Sequence, residues 1–249
     1  MRGIRGQSLT ESGESHRGGS PSIHFIDALN YLPRKPLLEF PKGHVIYSGT
    51  SSSLYLSISG RVKVANVGDD GSESVVRIVP PEGLFGEACL AQHPSTERAV
   101  ALDPVQIMSW KQAEIEQQVE REPGLGLALM QVVIARCLEL GERMQAMATC
   151  MTPQRVMLAL LQLASQLGEP RPDGAVRMAS LTHHTLAEYV GTSREIVSSQ
   201  MSNLRRRGLI QYSRQYIDVY REAVEETLRS QGVISRQAGT RAAATGTVL

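Results

Sequence analysis

The stretch LTHHTLAEYVGTSREIVSSQMSNLRRRG, residues 181–208, leaves little freedom in how the chain can fold around it. Ser193 can cap a helix that begins at Arg194. In that helix Val197, Met201 and Leu204 recur at spacings of four and three, so they share one apolar face. Arg205, Arg206 and Arg207 crowd its end, where the helix dipole favours positive charge, and Gly208 can close it. Upstream, Thr182 can cap a shorter helix in which Leu186 and Val190 lie four apart and Glu188 falls near the solvent side. Only Gly191, Thr192 and Ser193 separate the two, room for no more than a tight turn. Two short helices joined in this way form a helix-turn-helix.

The chain then continues LIQYSRQYIDVY. Residues 209–212 read as extended, 213–215 as a turn and 216–220 as extended again, which makes a β-hairpin and completes a winged helix. Between Thr182 and Arg221 six arginines face three acids, whereas the whole chain carries a net charge of only +1. The excess is therefore local, and it suits phosphate contacts, with the start of the second helix left to read base edges. Thr182, Ser193, Ser202, Arg205, Arg206 and Arg214 are the expected backbone contacts.

The front of the chain has a different rhythm. HVIYSG, SLYLSISGRVKVANV and SESVVRIV are short alternating runs separated by turn residues, as strands are. Gly60 stands where a hairpin turn is expected, and Asp69, Asp70 and Gly71 make another turn. Pro80, Pro81 and Gly83 interrupt the pattern before LFGEACL. The fold class expected is α+β, with an N-terminal antiparallel β-roll around a central cavity. In EGLFGEACLAQHPSTERAV, Gly86, Glu87 and Arg98 have the chemistry to line a small-molecule pocket: backbone N–H groups and a guanidinium for an anion, a carboxylate for a hydroxyl. The alternative is a structural loop in which Glu87 and Arg98 are paired or solvated. No HExxH spacing, nucleophile elbow or P-loop occurs, so an enzyme is not expected. His183 and His184 read as surface or phosphate-near residues rather than metal ligands.

Residues 125–151 contain no proline and carry a seven-residue repeat. Met130, Cys137, Met144 and Met151 alternate with Val133, Leu140 and Met147 at a and d spacing. This is expected to be a dimerisation helix with those seven side chains as its seam. Thr152 and Pro153 then read as the cap and first residue of the next helix, with Val156, Leu160, Leu163 and Leu167 on its apolar face. Gly168 ends it, and EPRPDG reads as a loop.

In this order, SGRVKV, PEGLFGEACL and THHTLAEYVGTSREIVSSQMSNLRRRGLI resemble the bacterial transcription regulators that include the cyclic-AMP receptor protein and the oxygen sensor FNR. The resemblance implies a cyclic-nucleotide-binding-like roll and a homodimer on inverted-repeat double-stranded DNA, with RNA polymerase as a further partner. It implies base reading by Arg194 and Glu195, with Ser198 and Ser199 beside them. Arg suits guanine O6 and N7, and Glu suits the cytosine N4 amine. Ser199 stands where the receptor protein has a second arginine, so the operator is expected to differ there. Gly86, Glu87 and Arg98 match the ribose- and phosphate-holding residues in type, whereas the serine that follows the arginine is Ala99. The adenine-facing Thr-Ser pair falls at Leu140 and Gly141. These changes remove polar contacts to cyclic AMP and leave another nucleotide, another small effector or none. No cysteine precedes Cys89, so no iron–sulfur cluster is expected. Haem is not expected either, since only Cys89 or His93 loosely matches its ligands.

The domain plan expected is a disordered extension at 1–22, the roll at 23–124, the dimerisation helix at 125–151, the winged helix at 152–229 and a flexible tail at 230–249. No metal site is expected. The sequence shows no apolar signal core at its start and no run judged long enough to cross a membrane, which points to the cytoplasm.

Overall fold

The computed structural model of the 249-residue chain describes residues 28–91 and 94–235. The expected extension at 1–22, residues 236–249 of the expected tail and His93 lie outside the described residues. After a 3-10 turn at Ala28–Asn30, the roll is built by β1 (Leu38–Phe40), β2 (Val45–Ser48), β3 (Ser53–Ser59), β4 (Val62–Val67), β5 (Glu73–Val79), β6 (Leu84–Phe85), α1 (Ala88–Ala91), β7 (Glu97–Ala101) and β8 (Val105–Lys111). Two helices follow, α2 (Gln112–Arg121) and α3 (Pro123–Thr149). The C-terminal domain consists of α4 (Thr152–Leu167), β9 (Gly168–Pro170), β10 (Val176–Ala179), α5 (His183–Val190), α6 (Arg194–Arg206), β11 (Ile210–Tyr212), β12 (Tyr216–Val219) and α7 (Arg221–Ser230).

The roll is two four-stranded antiparallel sheets, ordered β1-β8-β3-β6 and β2-β7-β4-β5. Val62, Val64, Val79, Phe85, Ala99, Ala101, Val105 and Ile107 fill the space between them. Gly60 is not a hairpin turn. The strands on either side of it belong to different sheets, and Gly60 is the corner between them. Its φ is +76°, and a Cβ there would meet the Pro104 carbonyl oxygen at 2.4 Å, so the corner accepts only glycine. The Asp69–Asp70–Gly71 turn does form, joining β4 to β5, with the Ser72 N–H donating to Asp70 Oδ1 at 2.9 Å. On the far side of the first sheet Leu54, Leu56, Trp110, Ile115, Leu125 and Leu129 make a second core under α2 and the start of α3.

The central helix runs from Pro123 to Thr149 rather than over 125–151. Met151 lies beyond its end and is the N-cap position of α4, where its N–H donates to the Gln154 side chain at 2.8 Å. Thr152 is therefore inside α4, not its cap. At 27 residues α3 is long and apolar enough by composition to cross a bilayer, contrary to the expectation from sequence. One flank, however, carries Arg136 and Arg143, which grip backbone carbonyls of the roll, so that flank is packed on protein. EPRPDG is not all loop: β9 and β10 extend the wing into the four-stranded sheet β11-β12-β10-β9. Ser230 ends α7, and Val233 and Ile234 pack against the C-terminal core, so the start of the expected tail is structured.

A single core crosses the domain boundary. Ala65, Val75 and Ile78 on the outer face of the roll are buried with Leu186, Tyr189, Val190 and the rest of the C-terminal core. Three basic side chains lock this contact. Arg61 forks onto Asp103 at 2.7 and 3.0 Å and donates to the Ala179 and Ser180 carbonyls at 2.8 and 3.3 Å. Lys63 bridges Glu73 and Glu188, at 2.5 and 3.1 Å. Arg143 donates to the carbonyls of Val75, Val76 and Tyr189 and lies over the Tyr189 ring, 4.2 Å from its centre. Arg143→Ala strips a charged donor from three carbonyls, and we expect a loss of about 2–3 kcal/mol. Urea unfolding followed by Trp110, the sole tryptophan, and by far-ultraviolet dichroism should separate into two transitions in the variant. Coincident transitions with an unchanged midpoint would refute the coupling.

Candidate nucleic-acid interface

The helix-turn-helix forms as its caps dictate. Thr182 Oγ1 accepts from the Thr185 N–H at 3.0 Å and starts α5. Gly191, with φ +72°, ends it, and Ser193 Oγ accepts from the Ile196 N–H at 3.4 Å to start α6. Val197, Met201 and Leu204 are buried against α4 and α5. At 3.6 residues per turn, burying those three points Glu195, Ser199, Ser202 and Arg206 away from the core along one face. Glu195, Ser199 and Arg206 are exposed, and Ser202 is half-buried, its hydroxyl donating to the Ser198 carbonyl at 3.0 Å. The α6 N-terminus and the adjacent Ser193 hold the Glu195 carboxyl below the usual carboxylate range.

Arg194, Ser198 and Arg205 lie along one flank of this face. Arg194 is exposed. Ser198, expected beside the base readers, is engaged elsewhere: its hydroxyl donates to the Arg194 carbonyl at 2.8 Å and lies 2.8 Å from His183 Nδ1. Arg205 stacks over the Tyr212 ring of the wing, 5.1 Å from its centre, and Arg214 lines a cleft of about 350 Å³ with Thr182, His183 and Tyr212. Arg177 forks onto the buried Asp218 at 2.6 and 2.7 Å and covers the Tyr216 ring, fixing the wing strands. One exposed neighbour of this face was not legible in the sequence. Exposed Ile196 offers an apolar group beside Glu195, suited to a thymine methyl. His183, expected at the surface or near a phosphate, also joins α5, α6 and the wing, a junction its local sequence does not signal. Glu188, expected near solvent, instead has a buried carboxylate held by Lys63 and by His184 at 3.0 Å.

The residues expected to share an effector pocket part company. Gly86 has φ +84°, and a Cβ there would lie 2.7 Å from the Ser53 carbonyl oxygen and 2.8 Å from the Tyr55 ring. Glu87 follows this turn and pairs with Arg136 of α3, with Arg77 at 3.6 Å. Arg77 and Arg136 both donate to the Leu84 carbonyl, at 2.8 and 2.5 Å. Burial pushes both guanidinium groups down from their ordinary pKa. Arg77 lies opposite Val64, so it faces the roll interior, where Tyr47, Tyr55 and Phe85 are stacked. Arg98 faces the other way. It is paired across the strands with Ala65, on the outer face, and its Nη1 reaches Glu73 at 3.2 Å. Strand alternation then sends Ala99 inward, where it is fully buried. Leu140 and Gly141 are exposed on α3. Cys89 is buried in the second core, which pushes its thiol up to about 11.

Along the other flank of α3 Met130, Val133, Ile134, Cys137, Leu138, Leu140 and Met144 stand exposed. This stripe keeps five of the seven expected seam residues and adds Ile134 and Leu138. Met147 is exposed but extends toward Gly191 of its own C-terminal domain, and Met151 is off the helix. Among the described residues no group of three His, Cys, Asp or Glu side chains is placed to hold a metal ion.

Comparison with known proteins matches residues 37–122 to the cyclic nucleotide-binding domain and residues 154–224 to the Crp-like helix-turn-helix domain. The chain is 29% identical over 177 residues to a CRP-like cAMP-activated global transcriptional regulator of Mycobacterium tuberculosis, covering 70% of this chain and 79% of that one. It is 28% identical over 170 residues to a global nitrogen regulator of Synechocystis, covering 67% and 76% of the two chains. Among solved structures, a CRP/FNR-family transcriptional regulator of Thermus thermophilus superposes with a TM-score of 0.64 at 27% identity, covering 79% of this chain and all of that one.

Proposed function

The chain belongs to the Crp/Fnr family of DNA-binding transcription regulators, which are not enzymes, and on that premise we propose that it reads an inverted-repeat operator as a homodimer. The observation that carries this is the outward face of α6. Buried Val197, Met201 and Leu204 fix Glu195, Ser199 and Arg206 along one exposed line, short enough in the middle to enter a major groove. Thr182, Ser193, Arg205, Arg206 and Arg214 surround it as phosphate contacts. The uncovered stripe of α3 supplies the dimer contact, and a two-fold axis there pairs two recognition helices with two half-sites. The regulator acts in the cytoplasm, with RNA polymerase as the partner of the promoter-bound dimer.

One observation favours an effector-independent roll, or one gated by something other than cyclic AMP. Arg98 is turned outward onto Glu73, and Glu87 is held by Arg136 and Arg77. These residues do not assemble a site for a ribose and a cyclic phosphate. A small effector would have to enter beside Glu87 and displace it from the two arginines.

Selection of duplexes from a randomised pool by the purified protein is expected to return an inverted repeat. Glu195→Ala should relax preference at one base pair per half-site, by about 1–3 kcal/mol of discrimination. Arg206→Ala should weaken all duplexes alike and lower the salt slope by about one per protomer. Equal losses for Glu195→Ala on cognate and altered operators, or a sequence-selective loss for Arg206→Ala, would reverse those roles. Ile134→Glu places a carboxylate in the exposed stripe and should leave a folded monomer by analytical ultracentrifugation; an intact dimer would place the interface elsewhere. Titration calorimetry with cyclic AMP should show no saturable heat, and a one-per-chain isotherm would overturn the reading of the roll.

A further inference from the structure

Ser198 makes two contacts with one proton. Its hydroxyl donates to the Arg194 carbonyl at 2.8 Å, as a serine one turn into a helix can. The second contact, 2.8 Å from His183 Nδ1, must then be received rather than given. His183 carries its hydrogen on Nδ1 and donates it to Ser198 Oγ. In the neutral ring that leaves Nε2 as a lone-pair acceptor; in the protonated ring Nε2 becomes a second donor.

The ring occupies the junction of three elements. It begins α5, touches the first turn of α6 through Ser198, and meets the Tyr212 ring of the wing edge-on, 5.8 Å between centres. Two clefts open beside it. One, about 350 Å³, includes Thr182, Tyr212, Ser213 and Arg214 in its lining; the other, about 520 Å³, is lined by Thr182, His184 and Arg194. The charged or titratable groups facing the ring are Arg194 from α6, His184 from α5, and Arg214 and Tyr212 from the wing. Arg205 lies behind Tyr212. Among the described residues neither cleft has a carboxylate in its lining. Glu188, the acid of α5, is turned onto Lys63 and His184. Among the described residues a second positive charge on His183 therefore has no partner, and the two clefts present only basic and neutral groups to whatever enters them.

We propose that a DNA backbone phosphate is the missing partner, and that His183 takes up a proton when the operator binds, donating through Nε2 to the phosphate and through Nδ1 to Ser198. This rests on α6 being the DNA-reading helix. In the free protein, burial and then the neighbouring Arg194 charge hold the imidazole below its ordinary value. A bound phosphate favours the charged ring and raises it. The sign follows: the bound form holds more protons than the free form between the two pKa values, so affinity rises as pH falls through that window. Below the free-protein value the gain is complete, and above the bound value it is absent. In the same step His183 acts as a positioning residue, because its Nδ1–H fixes the Ser198 hydroxyl and with it the first turn of α6.

The test is operator affinity from about pH 8 to about pH 6 at fixed salt, by fluorescence anisotropy with the full chain, in wild type, His183→Asn and His183→Gln. Each pKa unit by which phosphate raises the imidazole should tighten binding roughly tenfold per protomer. Both variants keep an amide donor but cannot titrate, so both should flatten the pH profile. Asn, whose N–H can reach Ser198, should also keep the operator preference found by selection. Calorimetry of wild type in two buffers of different ionisation enthalpy should show net proton uptake, absent in the variants. Sequence-selective binding whose pH profile and proton uptake are the same in wild type and both variants overturns this inference alone. No sequence-selective binding at any pH overturns the regulator reading and this inference with it.

Discussion

The orientation of α6 relative to the roll rests on a shared apolar core closed by three basic side chains, of which Arg143 reaches furthest into both domains. Arg143 projects from α3, holds the Val75 and Val76 carbonyls of the roll, and holds the Tyr189 carbonyl of the C-terminal domain. Arginine suits this because its planar fork spreads five donors. The grip also has a geometric consequence. The same helix that exposes Met130, Ile134, Cys137 and Leu138 on one flank ties both domains together with the other. Whatever covers the exposed flank is thereby held at a fixed angle to α6. The apolar composition that makes α3 long and hydrophobic enough for a bilayer is accounted for by this double duty.

Around that grip the charges are divided between permanent and titratable pairs. Arg61 with Asp103, and Lys63 with Glu73 and Glu188, close the domain boundary through carboxylates. Hydrogen bonding to Arg61 holds the Asp103 carboxyl below its usual range, despite burial acting the other way. Its contribution is therefore present above the unfolded carboxylate value of about 3.9 and fades as pH falls through the lower folded value. Lys63 is disfavoured by burial, yet its hydrogen bonds to Glu73 and Glu188 raise it overall, so it stays charged at neutral pH. Arg98 has been drawn into this network through Glu73. A residue that matches a phosphate-binding arginine in type thus serves the domain boundary instead.

The helix-turn-helix was legible in the sequence because its signals are local. Thr182 and Ser193 cap helices whose apolar residues repeat within a few positions, and Gly191 and Gly208 close them. The heptad stripe of α3 was legible for the same reason, except where tertiary contacts intervene: Met147 extends toward Gly191, and α3 stops before Met151. The roll was legible only as strands. Which strand pairs with which is a long-range matter, and Gly60 looks the same whether it turns a hairpin or a corner between sheets. Arg98 and Ala99 illustrate the sharper limit. Adjacent strand residues face opposite sides, so a register one residue different exchanges pocket and surface. His183 was legible only as a surface or phosphate-near residue for a related reason: its ties to Ser198 and Tyr212 span 15 and 29 positions of the chain.

If α6 reads DNA as proposed, the acids of the segment from Thr182 to Arg221 bear on discrimination. It carries three: Glu188, Glu195 and Asp218. Glu188 is folded inward onto Lys63, and Asp218 is buried under Arg177. Glu195 alone is exposed, at the start of α6, and its carboxyl is kept ionised by the helix N-terminus and Ser193. An ionised carboxylate presented to a polyanion weakens non-specific attraction, since every phosphate nearby repels it. It recovers that loss only where a donor waits for it, and in the major groove the matching donor is the cytosine amine. In the proposed complex, short Ser199 and Ser202 would let the helix approach closely enough for that contact, with the arginines at its other end on the backbone. The wrong base then leaves Glu195 desolvated and unpaired, which is costlier than a missing attraction. On the proposed operator-reading role, Glu195 would lower affinity for DNA in general and raise the contrast between sequences, as a search of a genome for a few operators requires.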